Sequence, residues 1–389
     1  MKRRSPVAVP RQDPRTRRWG FVVDVPGDLP GQRKQARRKG FETKQEAQDA
    51  LDELRQSLVT QTFVPTSKQT VGGFLRDEWL PAKAIALEPI TLSSYRDKVR
   101  LYVEPTMGTM KLQRVSGADL NRVYSHLLST GGASKQGLSS RTVRYVHTIL
   151  RAAFADAVRW GRLTRNPADA ATPPRAVDAR APEMVTWDGA TVSAFLEAEK
   201  ETRYGPAFAF LVTTGTRRSE ALGLRWSDLD LKAARASIRQ TVKLVDKQIV
   251  ISPRTKSARA RVIALDRATV ASLRSWKTTQ QRERLLQGAH VEADDLVFAL
   301  PDGRPYNPDR FSREFKRRQE RHEVRPVIRL HDLRHTWATL ALQAGVHPKV
   351  VQERLGHSSI AITLDIYSHV TGPMASDAAE QVAGLIFGA

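Results

Sequence analysis

Hydrophobic positions along the chain fall into three stretches with different rhythms. In residues 1–64 strand formers come first. Trp19-Gly20-Phe21-Val22-Val23-Asp24-Val25 predicts one strand and residues 33–41 a second, with the turn residues Pro26-Gly27-Asp28 and Pro30-Gly31 between them. A helix follows. Thr43 stands as its N-cap, Glu46 three residues on completes a capping box, and Ala47, Ala50, Leu51, Leu54 and Leu58 recur at helical spacing. Trp19, Phe21 and Phe41 call for a core, so this stretch reads as a small sheet backed by one helix.

Residues 66–174 keep a helical period throughout. Helices are predicted over 70–79, 91–103, 118–128 and 140–160. In the last, Ser139 or Ser140 is the cap, Val143, Val146, Ile149, Leu150, Phe154 and Val158 form the apolar face, and Gly161 is the stop. Residues 165–181, with Arg165-Asn166-Pro167 and Ala171-Thr172-Pro173-Pro174-Arg175, read as a linker. The third stretch, 182–389, begins with helices at 187–200 and 206–213. It passes through strand-like runs at 236–241, 247–252 and 261–265, then returns to helices from 267 to the end. The expected fold class is multidomain α+β, mostly α: a sheet-plus-helix module, an all-α bundle, and an α-rich domain with a small antiparallel sheet.

Charge narrows the partner. The 389 residues hold 63 Lys+Arg against 41 Asp+Glu, a formal net charge of +22. Such a surface attracts polyanions, and the excess runs along the whole chain rather than beside an apolar anchor, which points to nucleic acid over a membrane. The first forty residues alone carry twelve Lys/Arg against Asp13, Asp24 and Asp28. A basic β-ribbon fits the major groove of DNA. Arg17, Arg18, Arg37 and Arg38 there, with Arg96, Arg141 and Arg144 on the helices, are the candidate DNA contacts. There is no cysteine, which removes disulfides, thiolate nucleophiles and cysteine zinc sites. No apolar run is long enough for a membrane span, and Pro6, Pro10 and Asp13 interrupt the basic start; the chain reads as soluble and intracellular. No carboxylate cluster suits a metal, since Asp228 with Asp230 and Asp294 with Asp295 read as turn residues.

Six positions in the third stretch carry chemistry when taken together. Arg217, in Thr214-Gly215-Thr216-Arg217-Arg218-Ser219-Glu220, sits where one helix ends and another begins; its fork of N–H donors suits a phosphate and Glu220 can hold it. Lys256, in Pro253-Arg254-Thr255-Lys256-Ser257, is expected at the tip of a hairpin between two strands, with Lys243 and Lys247 as alternatives. His331 and Arg334, in His331-Asp332-Leu333-Arg334-His335, share one helix face. His357 follows Leu355-Gly356, and Tyr367 comes ten residues later in Thr363-Leu364-Asp365-Ile366-Tyr367-Ser368-His369.

The order and spacing of these phrases resemble the catalytic domain of the tyrosine recombinases, the phage integrase family. The resemblance covers all of 182–389. Residues 66–174 look like the family's core-site-binding domain and 1–64 like its arm-site-binding domain. The resemblance implies a site-specific DNA recombinase in which Tyr367 attacks the scissile phosphate to give a 3′-phosphotyrosyl link. Arg217 and Arg334 would clamp the non-bridging oxygens, Lys256 would protonate the leaving 5′-oxygen, His331 would assist the tyrosine's proton transfer and His357 would hydrogen-bond the phosphate. Glu220 and His335 would support them. The family's lysine often precedes a Thr, whereas here Lys256 follows Thr255. The implied enzyme needs no cofactor and no metal, and acts as a homotetramer on double-stranded attachment-site DNA in the bacterial nucleoid. Accessory partners would be a DNA-bending protein and a directionality factor. Residues 375–387, an amphipathic tail, would dock on a neighbouring protomer. A type IB topoisomerase and a catalytically silent DNA-binding regulator are the alternatives.

Overall fold

The computed structural model describes residues 8–26, 33–60, 63–132, 135–180, 184–253, 261–356, 383 and 386–387. The chain divides into two compact units, Met1–Ala181 and Pro182–Ala389.

The first unit begins with an antiparallel sheet of β1 (Arg11–Gln12), β2 (Trp19–Pro26) and β3 (Arg33–Phe41), in that spatial order. Helix α1 (Lys44–Val59) starts at Thr43, where the predicted capping box with Glu46 is formed. Side chains alternate across β2, so Phe21 and Val25 join Leu51 and Leu54 in a small core. Arg37 pairs with Val22 and Arg38 with Phe21. The two arginines therefore leave opposite faces of the sheet: Arg37 lies with Val22 on the side away from this core, Arg38 on the helix side.

A second core in this unit belongs to four helices. Thr70 caps α2, which runs through Val71–Gly73, a π-helical Phe74–Trp79 and Leu80–Lys83. Helix α3 likewise joins Pro89–Lys98, a π-helical Val99–Val103 and Glu104–Met107. Both run past the predicted ends. Helix α4 (Gly117–Thr130) starts at a Ser116/Asp119 capping box, and α5 (Ser140–Arg159) is capped by Ser139. Val143, Val146, Ile149, Leu150 and Phe154 are buried, as their spacing requires. The predicted linker is only partly one. Pro167 and Ala168 are buried in a 3-10 turn capped by Asn166, Arg144 Nη1 donates to Pro174 O at 2.5 Å, and Asn121 Oδ1 accepts from the Thr172 amide at 2.7 Å. Prolines that end a helix can still pack against it.

In the second unit, α6 (Gly189–Glu199) and α7 (Gly205–Thr214) precede a short α8 (Arg218–Ala221). Strands β4 (Leu229–Asp230), β5 (Arg235–Ile238), β6 (Thr241–Val245), β7 (Gln248–Ser252) and β8 (Arg261–Ala264) follow, then α9 (Arg267–Leu285), α10 (Pro308–Arg321), α11 (Asp332–Gln343) and α12 (Pro348–Leu355). Phe195, Phe311 and Phe315 pack against Phe208 of α7, which is apolar on nearly every side, and Trp187 packs on Phe195 and Phe315. The helices expected from 267 to the end are interrupted, since residues 286–307 hold none; Gly288 and Gly303 take positive φ, and isolated bridges pair Arg225 with Leu296 and Ala299 with Pro305.

The strands also correct the expected hairpin around Lys256. Strand β7 pairs with β6 across a tight turn in which Asp246 and Lys247 both take positive φ. Strand β8 pairs instead with β5, in the sheet β4-β5-β8. The segment that holds Lys256 thus joins two sheets rather than closing one hairpin. The run expected as one strand over 236–241 is split between those same sheets. Asp228 closes a turn by accepting from the Arg225 amide, and Asp294 accepts from Ser227 Oγ, as read for turn residues. Among the described residues no group of acidic or histidine side chains suits a metal, and no helix is long and apolar enough to cross a membrane.

Candidate active site

Two helix ends build the site. Helix α7 closes on Gly215, whose φ of +65° is the left-handed conformation that a C-terminal glycine supplies. Helix α12 closes the same way on Gly356, at φ +66°. The last carbonyls of a helix lack intrahelical donors and carry its partial negative charge, so they accept readily from cations.

Among the described residues four arginines use those acceptors, one of them Arg354, whose Nη2 donates to Thr213 O at 3.3 Å. Arg334 is buried on the first turn of α11; its Nη1 donates to Gly215 O at 2.9 Å and its Nη2 to Leu355 O at 2.7 Å. Arg217 begins α8; its Nη2 donates to Gly356 O at 3.2 Å and its Nη1 to Glu220 Oε1 at 3.0 Å. Arg261 on β8 donates through Nε to Arg354 O at 3.0 Å. Successive carbonyls at the end of α12 thus hold three guanidinium groups.

Glu220 balances this charge. It is 1% exposed and accepts from the Arg217 amide at 2.9 Å as well as from both arms of Arg261, at 3.0 and 2.7 Å. Burial raises its pKa, but Arg261 and Arg217 outweigh burial and bring it down to about 2. The carboxylate stays ionised and fixes both arginines.

The histidines sit beside this cluster. His331 is the residue before α11, open to solvent on one side, with its ring 5.1 Å from that of the buried His335 and nearly perpendicular to it. Enclosure by the surrounding protein, then His335, Arg334 and Arg217, push the pKa of His331 down to about 4, against the opposite pull of Asp332. Its ring is neutral at pH 7 and able to accept a proton. His335 is also shifted down, first by burial. Asp332 is buried next to them and takes two hydrogen bonds from the guanidinium of Arg329, at 3.0 and 2.7 Å.

Five predicted positions therefore converge: Arg217, Glu220, His331, Arg334 and His335. Lys256, His357 and Tyr367 lie outside the described residues, as does nearly all of the predicted tail. Gly356, the end of α12, directly precedes His357.

Comparison with known proteins supplies the rest. Residues 189–372 match the phage integrase family, and residues 12–58 match the arm DNA-binding domain. The chain carries a phage integrase family domain. It is a tyrosine recombinase, an enzyme class that cuts and rejoins DNA. A tyrosine recombinase XerC-like protein of Caldanaerobacter subterraneus subsp. tengcongensis is 27% identical over 88% of this chain and 90% of its own length. An integrase of Streptomyces ambofaciens is 25% identical over 96% and 95%. Among solved structures, the Tn1549 transposon integrase in complex with circular intermediate DNA matches 81% of this chain and 99% of that one, at TM-score 0.64 and 20% identity. A lambda integrase tetramer bound to a Holliday junction matches 92% and 91%, at TM-score 0.57 and 17% identity. These two likenesses concern the fold.

Sequence reasoning about this recombinase missed Arg261, Arg329 and the helix-end carbonyls. Arg261 had one available signal. Val262 beside it is 62% exposed while Ile263 is buried, so the strand turns an arginine inward and a valine outward. That inversion is visible only once the phase of the strand is known.

Proposed function

We propose that this recombinase is the integrase of a mobile element, joining the element to a chromosome and excising it through a 3′-phosphotyrosyl intermediate. The observation that carries this reading is the placement of Arg217 and Arg334 on adjacent carbonyls, Gly356 O and Leu355 O, with neutral His331 beside Arg334. Two guanidinium groups held at one helix end form a rigid receptor for the two non-bridging oxygens of a phosphodiester, on which negative charge grows during attack.

Tyr367 Oη forms the new bond to phosphorus while its proton passes toward His331. The bond to the 5′-oxygen breaks, and Lys256 supplies the proton that makes it a hydroxyl. His357 hydrogen-bonds the phosphate. Because the link to tyrosine keeps the phosphoester, the 5′-hydroxyl of a partner duplex can reverse the step and exchange strands. Residues 1–64 act as an arm-site reader, 66–174 as a core-site clamp and 182–389 as the catalytic domain. Arg17, Arg18, Arg37, Arg38, Arg96, Arg141 and Arg144 contribute to DNA binding. Arg37 does so from the outer face of the sheet, while Arg144 does so only by releasing Pro174 O. A homotetramer on DNA, assisted by a DNA-bending protein and a directionality factor in the bacterial nucleoid, is the working assembly.

A nicked duplex made from the attachment-site DNA beside the gene tests the reading. Wild type should give a denaturant-resistant adduct on the DNA 3′ end and Tyr367→Phe none. An adduct undiminished in Tyr367→Phe, or absent with wild type, overturns it. Removal of residues 1–64 should leave core-site cleavage intact and abolish integration.

A further inference from the structure

The inward arginine of β8 occupies an unusual junction. Its side chain is only 13% exposed, and an inward guanidinium requires partners. It has three, the two oxygens of Glu220 and Arg354 O. Glu220 Oε1 is shared: it accepts from Arg261 Nη1 and from Arg217 Nη1, both at 3.0 Å.

We infer that Arg261 is a positioning residue for phosphate transfer: it binds Glu220 to the last turn of α12 and thereby sets where Arg217 presents its guanidinium. This rests on the strand-transfer reading above and adds a residue to it. The connectivity gives the device its reach. Strand β8 directly follows the segment with Lys256, α12 directly precedes His357, and Glu220 carries Arg217. One side chain ties together the three segments that must meet around a single phosphate.

The physical consequence of losing it is specific. With Arg261 gone, Glu220 keeps one cation among the described residues, Arg217. A carboxylate with a single arginine takes it in a two-pronged pair. That pairing draws Arg217 off Gly356 O and turns its donors away from the phosphate position. A lysine at 261 still neutralises Glu220, but its single ammonium cannot reproduce a planar fork on the carboxylate together with a bond to Arg354 O.

Single-turnover cleavage of the nicked duplex by the full chain provides the test, with the adduct of wild type and its absence in Tyr367→Phe measured first. Arg261→Gln is expected to cleave about 30- to 100-fold more slowly while its Kd for the duplex changes by less than about threefold, the signature of a defect in the reacting state rather than in binding. Arg261→Lys should recover part of the rate. On an Arg217→Lys background, Arg261→Gln should cost less than about threefold more, because it acts through that residue. Melting of each full-length variant reports folding; should Arg261→Gln unfold at the assay temperature, the Lys variant carries the test. Cleavage at the wild-type rate by the folded Gln or Lys variant overturns the inference. So does a full additive loss on the Arg217→Lys background, or a loss of affinity as large as the loss of rate. No adduct with wild type would instead sink the underlying reading of function.

Discussion

Replacing Glu220 with Gln gives the sharpest view of how the site is held. The carboxylate is 1% exposed, and its pKa falls from an ordinary 4.5 to about 2 in the folded chain. The gap corresponds to about 3 kcal/mol of stability at neutral pH, from about 1.4 kcal/mol per tenfold change in proton affinity. The sign follows from linkage: the unfolded chain binds the proton more tightly, so this stability is full above pH 4.5 and drains as the pH falls toward 2. By about pH 3 less than half of it remains. Glutamine removes it at every pH. For a unit of this size, 1 kcal/mol moves Tm by about 2–4 °C, so the variant should melt about 6–12 °C below wild type at pH 7. Thermal melts of the two full-length proteins, followed by circular dichroism between pH 7 and pH 3, read the difference. The gap should narrow as the solution is acidified. A gap below about 2 °C at pH 7, or one of constant size down to pH 3, refutes the idea that Glu220 is an ionised keystone for Arg217 and Arg261.

Three further outcomes are expected. Gly215→Ala should destabilise by about 2–4 kcal/mol in chemical denaturation, since an alanine resists φ +65° and its Cβ would stand 2.8 Å from Leu355 Cδ2 and 2.9 Å from Trp337 Cε3; a loss under 1 kcal/mol speaks against it. In the free protein, NMR should find His331 neutral at pH 7 and titrating near pH 4, so a midpoint above 6 contradicts the assigned surroundings. Thr43→Ala removes the side-chain half of the capping box, leaving its backbone amide to donate to Glu46 Oε2, and should cost about 1 kcal/mol, read as faster amide exchange along Lys44–Val59; unchanged exchange rejects the cap's role.

Much of this protein is local and was therefore legible. Thr43 with Glu46, and Ser139 before its helix, are signals complete within a few residues, and those helices begin where their caps stand. The face of α5 follows from spacing alone, because a helix needs only its own residues to sort apolar from polar. The same holds for Arg334 and His335 in one turn of α11. The run of Arg217 with Glu220 three residues on also closes locally, as an N-terminal bond and an ion pair.

What local pattern left open was decided by contacts far apart in the chain. Whether β7 and β8 form one hairpin depends on which strand each meets, and hydrogen-bonding edges look alike in sequence; the fold sends β7 to β6 and β8 to β5. Helices α2 and α3 run past their predicted ends at 79 and 103 because an α-helical turn, Leu80–Lys83 or Glu104–Met107, follows the π-helical stretch in each. Above all, the site needs helix-end carbonyls at 354–356 to meet guanidinium groups from residues 217, 261 and 334. The sequence by itself determined which side chains were available and on which short elements they stand. Only the tertiary structure brought main-chain acceptors to them, because a carbonyl has no residue type and its meeting with an arginine more than ninety residues away is set by packing alone.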